Sequence, residues 1–318
     1  RSYWKGRLEH RSLLWPSHQH QLPACLEHIQ ANPRCFDDYQ RAIAGETSIV
    51  IFNEWCHELK RTGYLHNHAR MWFASIWVFT LRLPWELGAD FFIRHLMDGD
   101  PASNTLGWRW VAGLHTAGKT YLATPQNIRA CAEERLASRS DQALGLNRLA
   151  STTFTVAERL PAKALQRTEI PWPAPAENGC SEYRCNHGRT TMPVTEEDLT
   201  WLPSAAPEGV VVLSPSPRSA LEASSGLVEQ FVTAALDDAR QRMAHHWAQA
   251  PVLTAPHTLG DEALVDWLVE HRMDEVVCAY LPVGPTRIRV EGLRERLACK
   301  GIGLRVQMRD YDRFVWPH

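Results

Sequence analysis

Proline divides this chain. It clusters at positions 161, 171, 173 and 175, and again at 203, 207, 215 and 217. Proline fixes φ and removes a backbone donor, so Leu160 to Pro217 reads as a long surface connection with little regular structure. The texture differs on its two sides. Before it, apolar residues recur at helical spacing; after it, short β-branched runs alternate with amphipathic ones. The expected architecture is mostly α: a helical domain over residues 1–160, a proline-rich connection over 161–208, and a smaller α/β domain over 209–318.

Local signals place the elements. Ile49 to Lys60 predicts a helix that stops near Gly63, and Asn67 to about Leu83 predicts a second one, ended by Pro84. A third spans about Pro84 to Met97, with Pro84 suited to its first turn. In Asp98-Gly99-Asp100-Pro101, Asp100 is placed to cap a helix running to about Ala112, with Pro101 in its first turn. Beyond the connection, Gly209 to Leu213, Glu275 to Leu281 and Gly303 to Met308 predict strands. Gly226 to Gln249, Leu259 to His271 and Glu291 to Lys300 predict helices. This alternation implies a small parallel sheet with helices on its faces.

Composition narrows the function classes. The formal net charge of the 318 residues is -2, so contact with nucleic acid requires a local patch rather than overall charge. No apolar run approaches the roughly 20 residues of a membrane helix; the longest, Met71 to Leu83, is interrupted by Arg82. Eight cysteines without a CxxC pair suit a reducing cytosol, and a cytoplasmic monomer is expected. Cys180, Cys185 and His187 lie close together but match no zinc or iron–sulfur spacing, so no metal is expected. Eight of the thirteen tryptophans fall within the first 110 residues, more than a core filler requires, which points to stacking or electron transfer.

Gly113 to Thr120 satisfies the phosphate-loop pattern GxxxxGK[ST] by letter. That loop works only between a buried strand and a helix, where backbone N–H groups face phosphate. Here a helix end precedes it and Pro125 follows closely, so Lys119 reads as a surface cation.

A different constellation carries chemistry. Thr62-Gly-Tyr-Leu-His-Asn-His-Ala-Arg-Met71 is followed by Asp98-Gly-Asp-Pro-Ala-Ser-Asn104 and then Gly107-Trp-Arg-Trp110. Asn67, Arg70 and Met71 share one helical face, as do Asn104 and Trp108, while Trp110 points nearly opposite to Trp108. Arg70 and Asp98 are expected to form a buried ion pair, since neither charge could sit alone in a core. Polar residues converging inside a tryptophan-rich helical core suit a planar cofactor with polar edges.

These strings resemble the photolyase/cryptochrome family, whose flavin-binding domain carries a TGW-x-HN-x-x-RM helix followed by DGD-x-A-x-N-x-x-GW-x-W. The likeness is dense over about Asn53 to Trp110, and Arg1-Ser-Tyr-Trp4 is similar to the tail of the family's WR-x-(F/Y) helix. It implies a helical FAD-binding domain of photolyase type followed by the α/β domain, with FAD as cofactor. By the resemblance, Asn67, Arg70, Asp98, Asp100 and Asn104 bind the cofactor. Asn104 faces flavin N5, and Arg70 sits beside the ring and pairs with Asp98. Trp108 and then Trp85 are implied to carry electrons, with Trp15, Trp55, Trp77 or Tyr39 as a third member. Trp110, Met71 and Asn67 are implied to meet a flipped pyrimidine dimer in damaged DNA, the expected partner.

The implied enzyme is of deoxyribodipyrimidine photo-lyase type, repairing dimers by light-driven electron transfer. An asparagine opposite N5 resembles the repair branch, where plant cryptochromes carry aspartate and animal ones cysteine. A cryptochrome-like photoreceptor without repair and a degenerate binding module are the alternatives. The family's phosphate-gripping loop, its glutamate-bearing helix and its N-terminal antenna domain are missing from this sequence. It reads as a fragment or a short divergent bacterial-type member.

Overall fold

The computed structural model describes residues 2–116, 119–131, 144–156, 188–203, 206–247 and 252–315. They form two compact units: residues 11–166 with 218–228, and residues 2–10 with 167–217 and 229–318. Two segments thus lie across the expected divisions at 160 and 209. The first helix, α1 (Ser2–Glu9), groups with the α/β unit, and residues 218–228 group with the helical one.

In the helical unit, α2 (Leu14–Gln30), α3 (Pro33–Ala44) and α4 (Val50–Thr62) precede the motif-bearing helices. Their ends follow local chemistry. Asn32 caps α3 by accepting from the Arg34 and Cys35 amides, with Pro33 in the first turn. Gly45 and Gly63 end α3 and α4 in the left-handed region, at φ 78° and 65°.

Helix α5 (Asn67–Ser75) is shorter than the periodicity predicts. It continues as a π-helical turn, Ile76–Thr80, in which the Leu81 amide reaches back five residues to the Ile76 carbonyl. Pro84 disfavours helical backbone at Leu83, and the chain leaves the turn through Arg82 at φ 56°. The Trp77 indole N–H donates to the Pro84 carbonyl at 2.8 Å and so ties the turn to the start of α6 (Trp85–His95). Pro84 is therefore the residue before α6 rather than a member of its first turn.

Helix α6 is the buried spine, with every side chain from Trp85 to Arg94 inside. Its Gly88 has a steric cause: a Cβ there would lie 2.3 Å from Trp108 Cη2 and 3.0 Å from Trp77 Cε2. Two buried charges of α6, Asp90 and Arg94, are paired. Arg94 donates to Asp90 at 2.8 Å and to Glu222 at 2.5 Å, and Glu222 comes from the returning 218–228 segment, whose Ser225 amide binds the Arg94 carbonyl. Helices α7 (Pro101–Val111) and α8 (Pro125–Cys131) follow.

The α/β unit is one parallel sheet in the order β3-β2-β1-β4-β5. Its strands are β1 (Thr190–Val194), β2 (Gly209–Val212), β3 (Leu253–Thr254), β4 (Glu275–Ala279) and β5 (Gly303–Gln307). Helices α9 (Gly226–His246), α10 (Asp261–Glu270), α11 (Pro285–Ala298) and α12 (Asp310–Val315) complete it. The parallel sheet is as expected, but its central strand is not where the sequence places it. β1 lies inside the segment expected to lack regular structure, because a five-residue run containing Pro193 argues against a central strand. Pairing with β4 is confined to Thr190 and Thr191, ahead of the proline. Helix α11 begins six residues earlier than expected, with Pro285 in its first turn.

Gly88→Ala should destabilise the chain by about 1–3 kcal/mol, the usual penalty of overpacking, because the roughly 1 kcal/mol gain in helix propensity cannot offset a contact that close. Urea denaturation with unchanged m-value would check it. His18 makes a second test. Burial lowers its pKa, opposed by the hydrogen bond to the Glu86 carbonyl. The unfolded chain therefore takes up a proton below about 6.5 that the folded chain refuses, and stability present above that pH is lost as pH falls. His18→Phe should reduce the slope of stability between pH 7.5 and 5.5 without abolishing it, since burial also lowers the pKa of His95.

Candidate functional site

The site-bearing side chains come from α5, from the turn after α6 and from α7. At α5, Arg70 is held on three sides. Its Nε donates to the Leu65 carbonyl at 2.8 Å, its Nη2 donates to both Asp98 oxygens at 3.1 and 3.2 Å, and its guanidinium lies 5.4 Å from the Tyr64 ring centre. The expected Arg70–Asp98 pair thus forms, but it is not buried: the Asp98 side chain is 43% exposed. Asn67 is exposed, and its Nδ2 stands 3.9 Å from Met71 Sδ, as the shared helical face requires.

Asp100 caps α7, accepting from the Ser103 amide at 2.8 Å and from its hydroxyl at 2.9 Å. Part of this carboxylate is thereby committed to fold. Beside the turn stands a cation that sequence reasoning missed. Arg218 donates to the Leu96 carbonyl at 2.9 Å, and its Nη1 would lie 2.8 Å from a Cβ on Gly99. A gap of more than a hundred residues between them left no local signal.

Asn104 is buried and its amide nitrogen donates to the Ala89 carbonyl of α6 at 2.7 Å. That bond fixes the side chain and leaves its oxygen as the acceptor able to meet a ligand N–H. Trp108 is buried against Trp77, Phe92 and Phe73, with ring centres 6.1, 5.1 and 6.4 Å away. Its indole N–H and the Thr105 hydroxyl are buried with no hydrogen-bond partner among the described residues. Trp110 points elsewhere, half-buried and stacked on Tyr121 at 5.6 Å.

Trp85 is not a ring neighbour of Trp108 among the described residues. It meets His18, stacked at 5.2 Å, and the buried guanidinium of Arg109 at 5.6 Å. Neither partner was legible beforehand, since both read as polar residues on amphipathic helices. Of the other aromatic residues, Trp77 touches both Trp108 and Tyr39, the latter at 6.0 Å. Among the described residues Trp15 meets His18 edge-on, and Trp55 stacks on Trp72. Burial pushes the Tyr39 hydroxyl up to about 12.

No group of three or more metal-ligating side chains occurs among the described residues, and Cys180, Cys185 and His187 lie outside them. The phosphate-loop pattern fails on context: α7 rather than a strand precedes Gly113, and Ala117 and Gly118 lie outside the described residues. No described helix is long and apolar enough to cross a membrane.

The donor set fits a flavin. Two buried donors await a partner, an oriented asparagine oxygen is available, and the Trp108 indole is packed among aromatic rings. Comparison with known proteins leads to the same place. The family model for the FAD binding domain of DNA photolyase matches residues 3–142. The deoxyribodipyrimidine photo-lyase of Salmonella typhimurium is 39% identical over 92 residues, 29% of this chain and 19% of that protein. The Escherichia coli protein of the same name is 36% identical over 92 residues, with the same shares. The mitochondrial one of Saccharomyces cerevisiae is 32% identical over 122 residues, 37% of this chain and 21% of its own length. The matched part thus spans about a fifth of each of these relatives. No solved structure matches the chain. Residues 3–142 are thus similar to the FAD binding domain of DNA photolyase, and FAD is the cofactor that this similarity supports.

Proposed function

We propose that this chain is a light-driven, FAD-dependent photolyase acting on pyrimidine dimers in DNA. The observation that carries the reading is the orientation of Asn104. With its amide nitrogen spent on Ala89, the side chain offers an oxygen, which suits a protonated ring nitrogen such as N5 of reduced flavin. When bound, FAD supplies the light-absorbing one-electron donor. The chain's own residues bind and orient it. Arg70, fixed by Asp98, brings positive charge to the ring side of the site, Asp100 and Asn67 meet its polar edges, and the Trp108 indole closes the buried wall.

Met71 and Trp110 are assigned to the dimer. Both are half-buried, with apolar surface available for an unstacked base, and a damaged base leaves its stack at lower cost than a normal one. Trp108 and Trp85 are assigned to electron transfer between the cofactor and the outside, with Trp77 as the indole in ring contact with Trp108.

The decisive experiment irradiates oligonucleotide containing dimers with blue light in the presence of protein whose flavin is fully reduced. Dimers should disappear in light and persist in darkness; persistence in both would sink the repair reading in favour of a photoreceptor. Asn104→Asp should slow light-driven flavin reduction about tenfold, roughly 1.4 kcal/mol in the barrier, because a carboxylate faces a ring that gains negative charge. Absorbance spectroscopy during illumination would follow it, and Trp108→Phe should slow the same process.

A further inference from the structure

The α/β unit contains a second polar site, whose argument does not rest on the photolyase reading. In a parallel sheet ordered β3-β2-β1-β4-β5, the strand order reverses between β1 and β4. Such sheets take ligands outside the carboxyl ends of the strands at that point. Here β1 and β4 pair only through Thr190 with Glu275 and Thr191 with Val276, at their amino-terminal ends.

Polar groups gather beyond the carboxyl ends. Glu196 follows β1, Ser216 follows β2, Tyr280 and Val283 follow β4, and Thr286 and Arg287 open α11. Glu196 Oε1 accepts from the Ser216 amide at 2.8 Å and from the Thr286 hydroxyl at 3.0 Å. Glu196 Oε2 and the Ser216 hydroxyl are buried and have no partner among the described residues, and Ser216 is 5% exposed. A buried group left unsatisfied costs about 1–3 kcal/mol, so two at one sheet edge require an explanation that packing does not supply.

Into the same edge α1 brings Glu9, which is 2% exposed. Its carboxylate accepts from the Tyr280 hydroxyl at 2.9 Å, the Val283 amide at 2.8 Å and Arg287 Nη1 at 2.8 Å. Lys5, one turn earlier, pairs with Glu197 at 3.5 Å. A backbone N–H ahead of a helix, an arginine and a phenol converging on one carboxylate form an oxyanion cradle. The orphaned Glu196 oxygen and Ser216 hydroxyl stand beside the first turn of the same helix, suited to hydroxyl groups on a ligand.

We propose that this edge is a binding site for a small hydroxylated oxyanion, a carboxylate or a phosphate monoester. Glu9 occupies its anion position as a built-in competitor. A ligand's oxyanion takes the three hydrogen bonds now made to Glu9, and its hydroxyls meet Glu196 Oε2 and the Ser216 hydroxyl. Binding then releases the Glu9 end of α1, so that the helix acts as a plug whose displacement reports ligand.

The test titrates glycerate and β-glycerophosphate separately into the full chain by calorimetry. Glu9→Gln keeps the side chain's shape and removes its charge. It should bind at least one probe ten times or more tighter than the unaltered chain does, and adding Arg287→Met should abolish the gain. The tighter probe identifies the anion as carboxylate or phosphate. Equal affinity in Glu9→Gln and the unaltered chain, absence of binding in both, or a gain that survives Arg287→Met would each overturn the proposal. Should Glu9→Gln fail to fold, Ser216→Ala decides instead: it removes a hydroxyl assigned to the ligand and none that Glu9 uses, so it should weaken binding at least fivefold. Unchanged affinity in that variant would overturn the proposal.

Discussion

The helical unit depends on how closely α7 approaches α6 at Gly88. With no side chain there, the Trp108 indole lies directly on the α6 backbone and meets Trp77 edge to face, 6.1 Å between centres. The same approach brings Asn104 within 2.7 Å of the Ala89 carbonyl. One missing methyl group thereby sets both the position of the buried indole and the orientation of the polar group assigned to the flavin. A larger residue would separate the helices, and the Asn104 amide would lose the bond that makes its oxygen the exposed acceptor. Site and core are one piece of packing, so the chemistry inherits the rigidity of a close-packed interior.

Charge placement follows from the burial of α6. Asp90 and Arg94 sit where neither could remain ionised alone. Their pair is completed by Glu222, from a segment remote in sequence. Residues 218–228 therefore belong to the helical unit for an electrostatic reason as much as a packing one. The Arg70–Asp98 pair, reached by solvent, carries no comparable desolvation and is better understood as positioning the guanidinium than as stabilising the fold.

What was legible in the sequence was local. Asp100 as a cap, Pro101 in the first turn, Gly63 as a left-handed stop and the opposite directions of Trp108 and Trp110 all follow from rules spanning four or five residues. The parallel sheet was legible from alternating periodicity. Two of the failures share one cause: they depend on partners far away in the chain. β1 contains a proline and is too short to show alternation, and it is a strand because β2 and β4 flank it. The attachment of α1 to the α/β unit rests on Tyr280, Val283 and Arg287, about 270 residues downstream of Glu9. The π-helical turn is a local failure: it reflects the exit imposed by Pro84 and the Trp77 indole bond seven residues earlier, which periodicity alone reads as continued helix.

The surroundings of the tryptophans also bear on how charge could move through the core. An indole that gives up an electron becomes a cation, and a fixed cation nearby opposes that change. Arg109 lies 5.6 Å from the Trp85 ring centre; at an effective dielectric of about 20 this amounts to about 3 kcal/mol. His18, stacked on the same ring, does not add to the opposition while it stays neutral, and burial lowers its pKa. Protonating His18 would add a second cation in contact with the same ring, and its lowered pKa opposes that. No cation–ring contact occurs at Trp77 among the described residues, and besides Trp108, Phe73 and Phe91 it meets the ring of Tyr39. Burial raises the pKa of the Tyr39 hydroxyl, so oxidation there must be accompanied by loss of a proton to a neighbouring base. Were Trp85 and Tyr39 to carry charge, the two would differ in kind: fixed electrostatics would govern Trp85, and proton transfer would govern Tyr39.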